Sequence, residues 1–259
     1  MDNVAYKQRV TRKKRKLKAH VKGYLILTGV FLFSLTCMNI VHSITMSNLN
    51  DKLVKADKEL NSKNRYIDTL ETEIKEPFKT YGDKTRASLK KEGLNSSLIL
   101  QRDERWAKES YGWGINTTVD KNACAITSLS MINAYWKNSE LSVTDVLNWA
   151  GNDYYTDYGT SWNIFPAFAQ NYGYTYTDLG TQIDSALPYL EEDIPVVASF
   201  NPGIFTSVGH IMVLSHADKD GIRILDPNDD VSKKFSLTTY STEDIQASLA
   251  HLWVFEETN

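Results

Sequence analysis

Cysteine is nearly absent from this chain of 259 residues: there are two, Cys37 and Cys124, 87 positions apart. A disulfide framework or a Cys-rich zinc site needs more thiols than that. Other signatures are missing too. There is no His-Glu-x-x-His pair, no Cys-x-x-Cys and no Gly-x-x-x-x-Gly-Lys loop, so metallopeptidase and nucleotide-hydrolase readings lack support, and neither a metal nor another cofactor is expected. Charge of either sign is missing from one long segment. Tyr24 to Ile44, YLILTGVFLFSLTCMNIVHSI, runs for 21 residues without Lys, Arg, Asp or Glu. As a helix this length spans about 31 Å, matching a hydrocarbon core of roughly 30 Å.

What is present is otherwise ordinary. Hydrophobic residues make up 42%, charged residues 24% and aromatics 11%, near the globular average, which excludes disordered, collagen-like and multi-span membrane classes. The net charge of −3 hides a division. Residues 1–46 carry nine Lys or Arg and one acid, a net of +8, so the remainder carries −11. All nine basic residues precede the apolar run, and the next one, Lys52, lies beyond it. The positive-inside rule then puts the N-terminus in the cytoplasm and everything after residue 45 outside. The run is longer than the apolar part of a cleaved signal peptide, roughly 7 to 15 residues, and is read as an uncleaved single-pass anchor in the cell membrane. The basic residues between Lys7 and Lys22 lack interleaved aromatics; orientation and contact with anionic lipid account for them, and no nucleic-acid partner is expected.

Beyond the span, Leu53, Leu60, Ile67 and Ile74 occupy one heptad position, and Leu49, Ala56, Lys63 and Leu70 another. Only Lys63 breaks the pattern, which reads as a parallel dimeric coiled-coil stalk about 39 Å long. A lone helix is the alternative. Pro77 ends the pattern, and residues 77–97, with Gly82, Gly93 and Asn95-Ser96-Ser97, read as a linker.

All six tryptophans fall after residue 97. Apolar residues at 125, 126, 129, 132 and 135 predict a buried helix with Cys124 at its N-terminus. That position stabilises a thiolate. A nucleophilic thiol needs a base, and the base needs an orienting group. Of the five histidines, His20 and His42 belong to the tail and span. His210 begins Gly-His-Ile-Met-Val-Leu, followed by a turn at Asp218-Lys219-Asp220-Gly221 and a second run, Ile222 to Pro227, together a β-hairpin. A turn centred near residues 218 and 219 sets His210 opposite residue 226 or 227, which brings Asp226 beside it. His216 has no acid opposite, and His251 reads as structural.

The order Cys124, His210 in Gly-His-Ile-Met-Val, and Asp226 in Leu-Asp-Pro resembles the papain-like cysteine peptidases of the bacteriocin-processing, double-glycine family. Gln101-Arg102-Asp103-Glu104-Arg105-Trp106 and Tyr158-Gly159-Thr160-Ser161-Trp162 extend the resemblance over residues 98–256, closer to stand-alone relatives than to transporter-fused domains. It implies an α+β papain-like fold with the Cys helix packed on an antiparallel sheet. It also implies a Cys124, His210, Asp226 mechanism, with Gln101 and the Cys124 backbone N–H holding the oxyanion. Two features depart from the family pattern: Ala123 and Ala125 flank the cysteine where relatives carry Gly, and Gln101 stands 23 residues before it.

Tyr154, Tyr155, Tyr158 and Trp162, in a Gly, Asn and Asp-rich stretch, are expected to bind substrate, whereas Phe165 and Phe168 belong to the core. The sequence thus divides into a basic cytoplasmic tail (1–23), a transmembrane helix (24–45), a stalk (46–76), a linker (77–97) and a papain-like domain (98–259). The expected activity is an extracytoplasmic peptidase or amidase acting on exported peptides or peptidoglycan-linked peptides. A non-catalytic binding or scaffold module on the same stalk is the alternative.

Overall fold

A computed structural model describes residues 2–115, 117–137 and 143–258, and for residues 2–17 the backbone alone. The basic side chains from Lys7 to Lys16 lie outside the described residues. The chain divides into two units, residues 1–69 and 70–259.

The first unit is helical. Helix α1, Asp2–Lys75, continues beyond it. It is long and apolar enough to cross a membrane. The heptad residues Leu49, Leu53, Leu60 and Ile67 are all exposed in the single chain.

The second unit is an α+β domain. Pro77 starts a helix, α2 (Pro77–Lys91), so most of the segment read as a linker is ordered. The breakers misled because proline is pre-organised for the first turn of a helix, where its missing N–H costs nothing. Tyr81, Thr85 and Leu89 recur every four residues and are buried. The first turn of α2 lacks a capping side chain of its own; Glu104 supplies one, its two carboxylate oxygens accepting from the Phe78 and Lys79 N–H groups at 3.0 and 2.9 Å.

Two helices follow, α3 (Val119–Asn122) and α4 (Cys124–Lys137), then α5 (Val143–Ala150), a small hairpin of β1 (Tyr155–Thr156) and β2 (Gly159–Thr160), and α6 (Ile164–Tyr172). The remaining elements are β3 (Tyr174–Gly180), α7 (Leu187–Leu190), β4 (Val196–Phe200), β5 (His210–Asp218), β6 (Gly221–Leu225), β7 (Thr239–Tyr240), α8 (Thr242–Ser248) and β8 (Leu249–Glu257). The main sheet has six strands in the order β3-β8-β4-β5-β6-β7, and every neighbouring pair is antiparallel.

Alternation along the strands divides the core in two. Val197, Ile211, Val213, Trp253 and Phe255 face α4, α5 and α6, while Val196, Ala198, Met212, Leu214, Leu252 and Val254 face the opposite side with Leu190 and Ile245. Residues 125–133 of α4 are buried without interruption, polar residues included, so α4 is a core helix covered on every face. Thr127 and Ser130 donate to the carbonyls of Ala123 and Ile126, four residues back, which satisfies their hydroxyls inside the core.

The β5–β6 turn depends on Gly221. Its φ is +126°, and a Cβ there would lie 2.4 Å from the Tyr240 carbonyl oxygen on β7. Gly221→Ala is expected to lower stability by roughly 1–3 kcal/mol, read as a lower melting temperature by circular dichroism; an unchanged transition would show that the turn relaxes freely.

Candidate active site

Cys124 is the first residue of α4, directly after Ala123, the C-cap of α3. Its thiol interacts with His210, and the main-chain N–H groups of Ile211 and Ala125 also act on the sulfur. Docking of α4 on the sheet fixes this arrangement, since Ser128 Oγ donates to the Ile211 carbonyl at 3.3 Å. The residue after the histidine therefore serves both the helix and the sulfur.

His210 is the first residue of β5 and pairs with Phe200 on β4. On the other side, the β5–β6 ladder stops at Val213 opposite Leu225. The hairpin turn is centred one residue later than the sequence indicates, and a bulge lies between Leu214 and His216. Asp226 therefore leaves the end of β6 rather than sitting in the ladder. It turns back so that its Oδ1 is 2.7 Å from His210 Nε2. That contact leaves Nδ1 as the ring nitrogen for the sulfur. His210 is 8% exposed and Asp226 1%.

The charges in this row support one another. Burial pushes the Cys124 thiol up, but its hydrogen bond and charge interaction with His210 and the two N–H groups outweigh burial and hold it below the ordinary thiol range. For His210 burial acts downward. The hydrogen bonds to Asp226 and Cys124 and their charges prevail, raising it to about 10. Both shifts run toward a thiolate–imidazolium pair.

Gln101 is buried, with its N–H donating to the Pro227 carbonyl at 2.7 Å. Its side-chain Nε2 donates to the Asp120 carbonyl of α3 at 3.1 Å, and Oε1 is buried without a hydrogen-bond partner among the described residues. The side chain thus lies against the short helix that leads into Cys124.

The aromatic residues divide. Phe165 and Phe168 are fully buried. Tyr154 stacks on Trp149, ring centroids 5.6 Å apart, and Trp149 in turn meets Phe168 and Tyr172. Tyr155 meets Tyr111 and Trp113 edge-on at 5.6 and 5.2 Å. Tyr158 is fully exposed, and Trp162, 44% exposed, packs against His251 and Trp253.

Tyr111, which sequence reasoning passed over, is the aromatic that feels the Cys124 charge. Burial pushes it up to about 12, and its hydroxyl shares a 2.8 Å hydrogen bond with Thr160 Oγ1. No pattern in the sequence marks it. The β1–β2 hairpin is tied to this tyrosine through Thr160.

The other histidines have acids as well. His216 faces Arg223 in the ladder, yet its Nδ1 is 2.6 Å from Asp193 Oδ1 and its Nε2 3.7 Å from Asp218 Oδ2. The sequence reading of His216 as lacking an acid considered only the opposite strand. His251 Nε2 lies 2.6 Å from Asp178 Oδ1. Neither pair is associated with a cysteine.

Asp226 is held by the loop after it. Its N–H donates to Ser236 Oγ at 3.1 Å, its Oδ1 also accepts from Asn228 N–H at 2.7 Å, and its carbonyl accepts from Asp229 N–H at 3.1 Å. Asp229 is completely buried. Its signal in the sequence is the run Asp226-Pro227-Asn228-Asp229-Asp230, rich in residues that bond to their own backbone.

Several solved structures are similar. The peptidase domain of Streptococcus ComA, a bifunctional ABC transporter involved in quorum sensing, is 18% identical with a TM-score of 0.43, covering 54% of this chain and 94% of that domain. A double-glycine-motif protease from an AMS/PCAT transporter, solved with its leader peptide, is 19% identical with a TM-score of 0.39, covering 52% and 84%. A C39-like peptidase from Bacillus anthracis is 15% identical with a TM-score of 0.35, covering 54% and 90%. No curated protein matches the chain. The model of the Peptidase_C39-like family matches residues 94–248. That segment is more than half of the sequence and contains Gln101, Cys124, His210 and Asp226, and on it the chain belongs to the Peptidase_C39-like family.

Proposed function

We propose that this protein is a membrane-anchored cysteine peptidase whose catalytic groups are Cys124, His210 and Asp226. The observation that carries the reading is the continuous row from the Cys124 thiol through the His210 ring to the buried Asp226 carboxylate. His210 takes the thiol proton, and the thiolate attacks the scissile carbonyl to form an S–C bond. Gln101 and the Cys124 N–H hold the oxyanion. The C–N bond then breaks as His210 returns the proton to the leaving amine, and water, deprotonated by His210, releases the acid and regenerates the thiol. No step needs a metal.

The apolar run at residues 24–45 anchors the chain in this reading, with the basic tail cytoplasmic and the domain outside. The exposed heptad stripe supports a parallel pair of stalks. The substrates are peptide bonds in cell-wall stem peptides or exported peptides, reached through Tyr155, Tyr158 and Trp162 at the domain surface and Tyr154 behind them.

The test is the pH dependence of iodoacetamide alkylation of the full chain in detergent, with Cys37→Ser so that Cys124 alone reports. An inflection well below the ordinary thiol value of about 8.5 is expected. An inflection at or above that value overturns the reading.

A further inference from the structure

We propose that Tyr81, on a helix preceding the segment shared with the family, is a positioning residue for Asp226: its hydroxyl fixes the buried Asp229 carboxylate around which the acid loop is folded. The inference rests on the catalytic reading of Cys124, His210 and Asp226 and deepens it.

Asp229 is the centre of the loop. Its Oδ2 accepts from Tyr81 Oη at 3.0 Å and from Ser236 N–H at 2.9 Å, and its Oδ1 accepts from Asp230 N–H at 2.9 Å and Phe235 N–H at 3.0 Å. Three of these donors belong to the loop itself. Tyr81 is the donor that ties the carboxylate to another element. Without it the Asp229 carboxylate is held only by the loop's own backbone, and it loses one of four hydrogen bonds.

From Asp229 the connection to the site is short. Asp229 N–H holds the Asp226 carbonyl, and Ser236, whose N–H bonds to Asp229, accepts from Asp226 N–H through its Oγ. Both main-chain groups of Asp226 therefore end on partners of the Asp229 carboxylate ring. Asp226 presents its Oδ1 to His210 from that fixed backbone.

Helix α2 is itself immobilised, which lets Tyr81 act as a post. Glu104 caps its first turn, Arg86 Nη1 donates to the Leu98 carbonyl at 2.9 Å, and Glu92 just past its end meets Arg223 of β6 at 3.3 Å. Burial and the neighbouring Asp229 charge keep the Tyr81 hydroxyl far above the ordinary phenol range, so it donates at every pH at which the enzyme works. The charged groups around the loop are these: Tyr81 feels Asp229 and Asp230, Asp230 is paired with Arg102 at 3.3 Å and acted on by Lys233, Tyr240 feels Asp229 and Asp226, and His210 is faced by Cys124 and Asp226.

The experiment is the Cys124 alkylation profile of full-length Tyr81→Phe in detergent, on the Cys37→Ser background, with rates normalised to titrated thiol. A displaced Asp226 no longer fixes the His210 ring against the sulfur, so the imidazolium stabilises the thiolate less and the inflection moves to higher pH. The rate at a pH below the wild-type inflection is expected to fall roughly threefold to tenfold, as a shift of half to one pH unit produces. The alkaline limb of peptide hydrolysis is expected to move to lower pH in the same variant. A tyrosine that only braces the fold would reduce the amount of reactive protein and leave both positions unchanged, and that result overturns the proposal. If Tyr81→Phe does not accumulate, Ser236→Ala keeps the Ser236 N–H bond to Asp229 and removes only the Oγ that holds the Asp226 N–H; the same displacement is expected, and an unmoved inflection overturns the proposal. The two readings fail differently. An ordinary thiol profile in the Cys37→Ser parent defeats the catalytic reading, whereas a low inflection that Tyr81→Phe leaves in place defeats this one alone.

Discussion

Cys124→Ala is expected to abolish peptide hydrolysis, a loss on the order of 10⁵ to 10⁶-fold, while leaving the fold intact. The side chain is half-buried at the start of α4, and its removal leaves the buried face from Ala125 to Asn133 untouched. What disappears is the atom that forms the covalent bond. His210→Ala is expected to lose nearly as much, because the imidazolium lowers the thiol and later protonates the leaving amine. Since the two groups act in one step, the double variant should be no worse than either single one. The measurement is cleavage of a quenched peptide library, followed by mass spectrometry, with circular dichroism to confirm the fold. Residual turnover of Cys124→Ala within tenfold of the native chain would remove the thiol from the mechanism. Additive losses in the double variant would mean that Cys124 and His210 do not cooperate.

The proposed nucleophile and its partners are legible in position because each sits where a local pattern changes. Cys124 opens a helical apolar run, His210 opens a strand, and Asp226 follows the end of one. The hairpin register was legible only approximately. A bulge adds a residue without marking the sequence, and the contact survives because Asp226 has already left the ladder and is aimed by hydrogen bonds instead of by pairing.

Residues 77–97 show what local patterns miss. Proline and glycine there carry the composition of a linker, while the forces that make α2 a helix come from far along the chain: a cap from Glu104 and a buried hydroxyl contact with Asp229, 148 residues away. Tyr111 was missed for the same reason, since its neighbours Thr160 and Tyr155 belong to another segment. The apolar span and heptad stripe raise the opposite difficulty. Their periodicity is plain in the sequence, yet nothing within a single chain covers Leu53, Leu60 or Ile67, so their partners are the bilayer and a second copy proposed above.

Asp226→Ala is expected to lower kcat/KM on the order of 10² to 10⁴-fold, and comparison with Asp226→Asn separates its two contributions. The carboxylate holds the ring in place by a 2.7 Å contact with Nε2, and its negative charge helps raise His210 to about 10. Alanine removes both. It also strands the Asn228 N–H and leaves the imidazole free to rotate away from the sulfur. Asparagine keeps an oxygen that can accept from both N–H groups but carries no charge, so the ring stays oriented and the loss should be the smaller of the two. The pH profile gives the sign. In the native chain, activity rises as pH passes through the lowered thiol value and falls as pH passes through the raised value of His210, about 10. Removing the charge lowers the affinity of His210 for its proton, so the active window narrows from its alkaline side. The alkaline limb of kcat/KM is therefore expected to move to lower pH in both variants, and only Asp226→Ala should also show a large drop at the optimum. An alkaline limb that stays in place in Asp226→Asn would mean that hydrogen bonding alone, and not charge, sets the imidazolium, and an undiminished Asp226→Ala would take Asp226 out of the site.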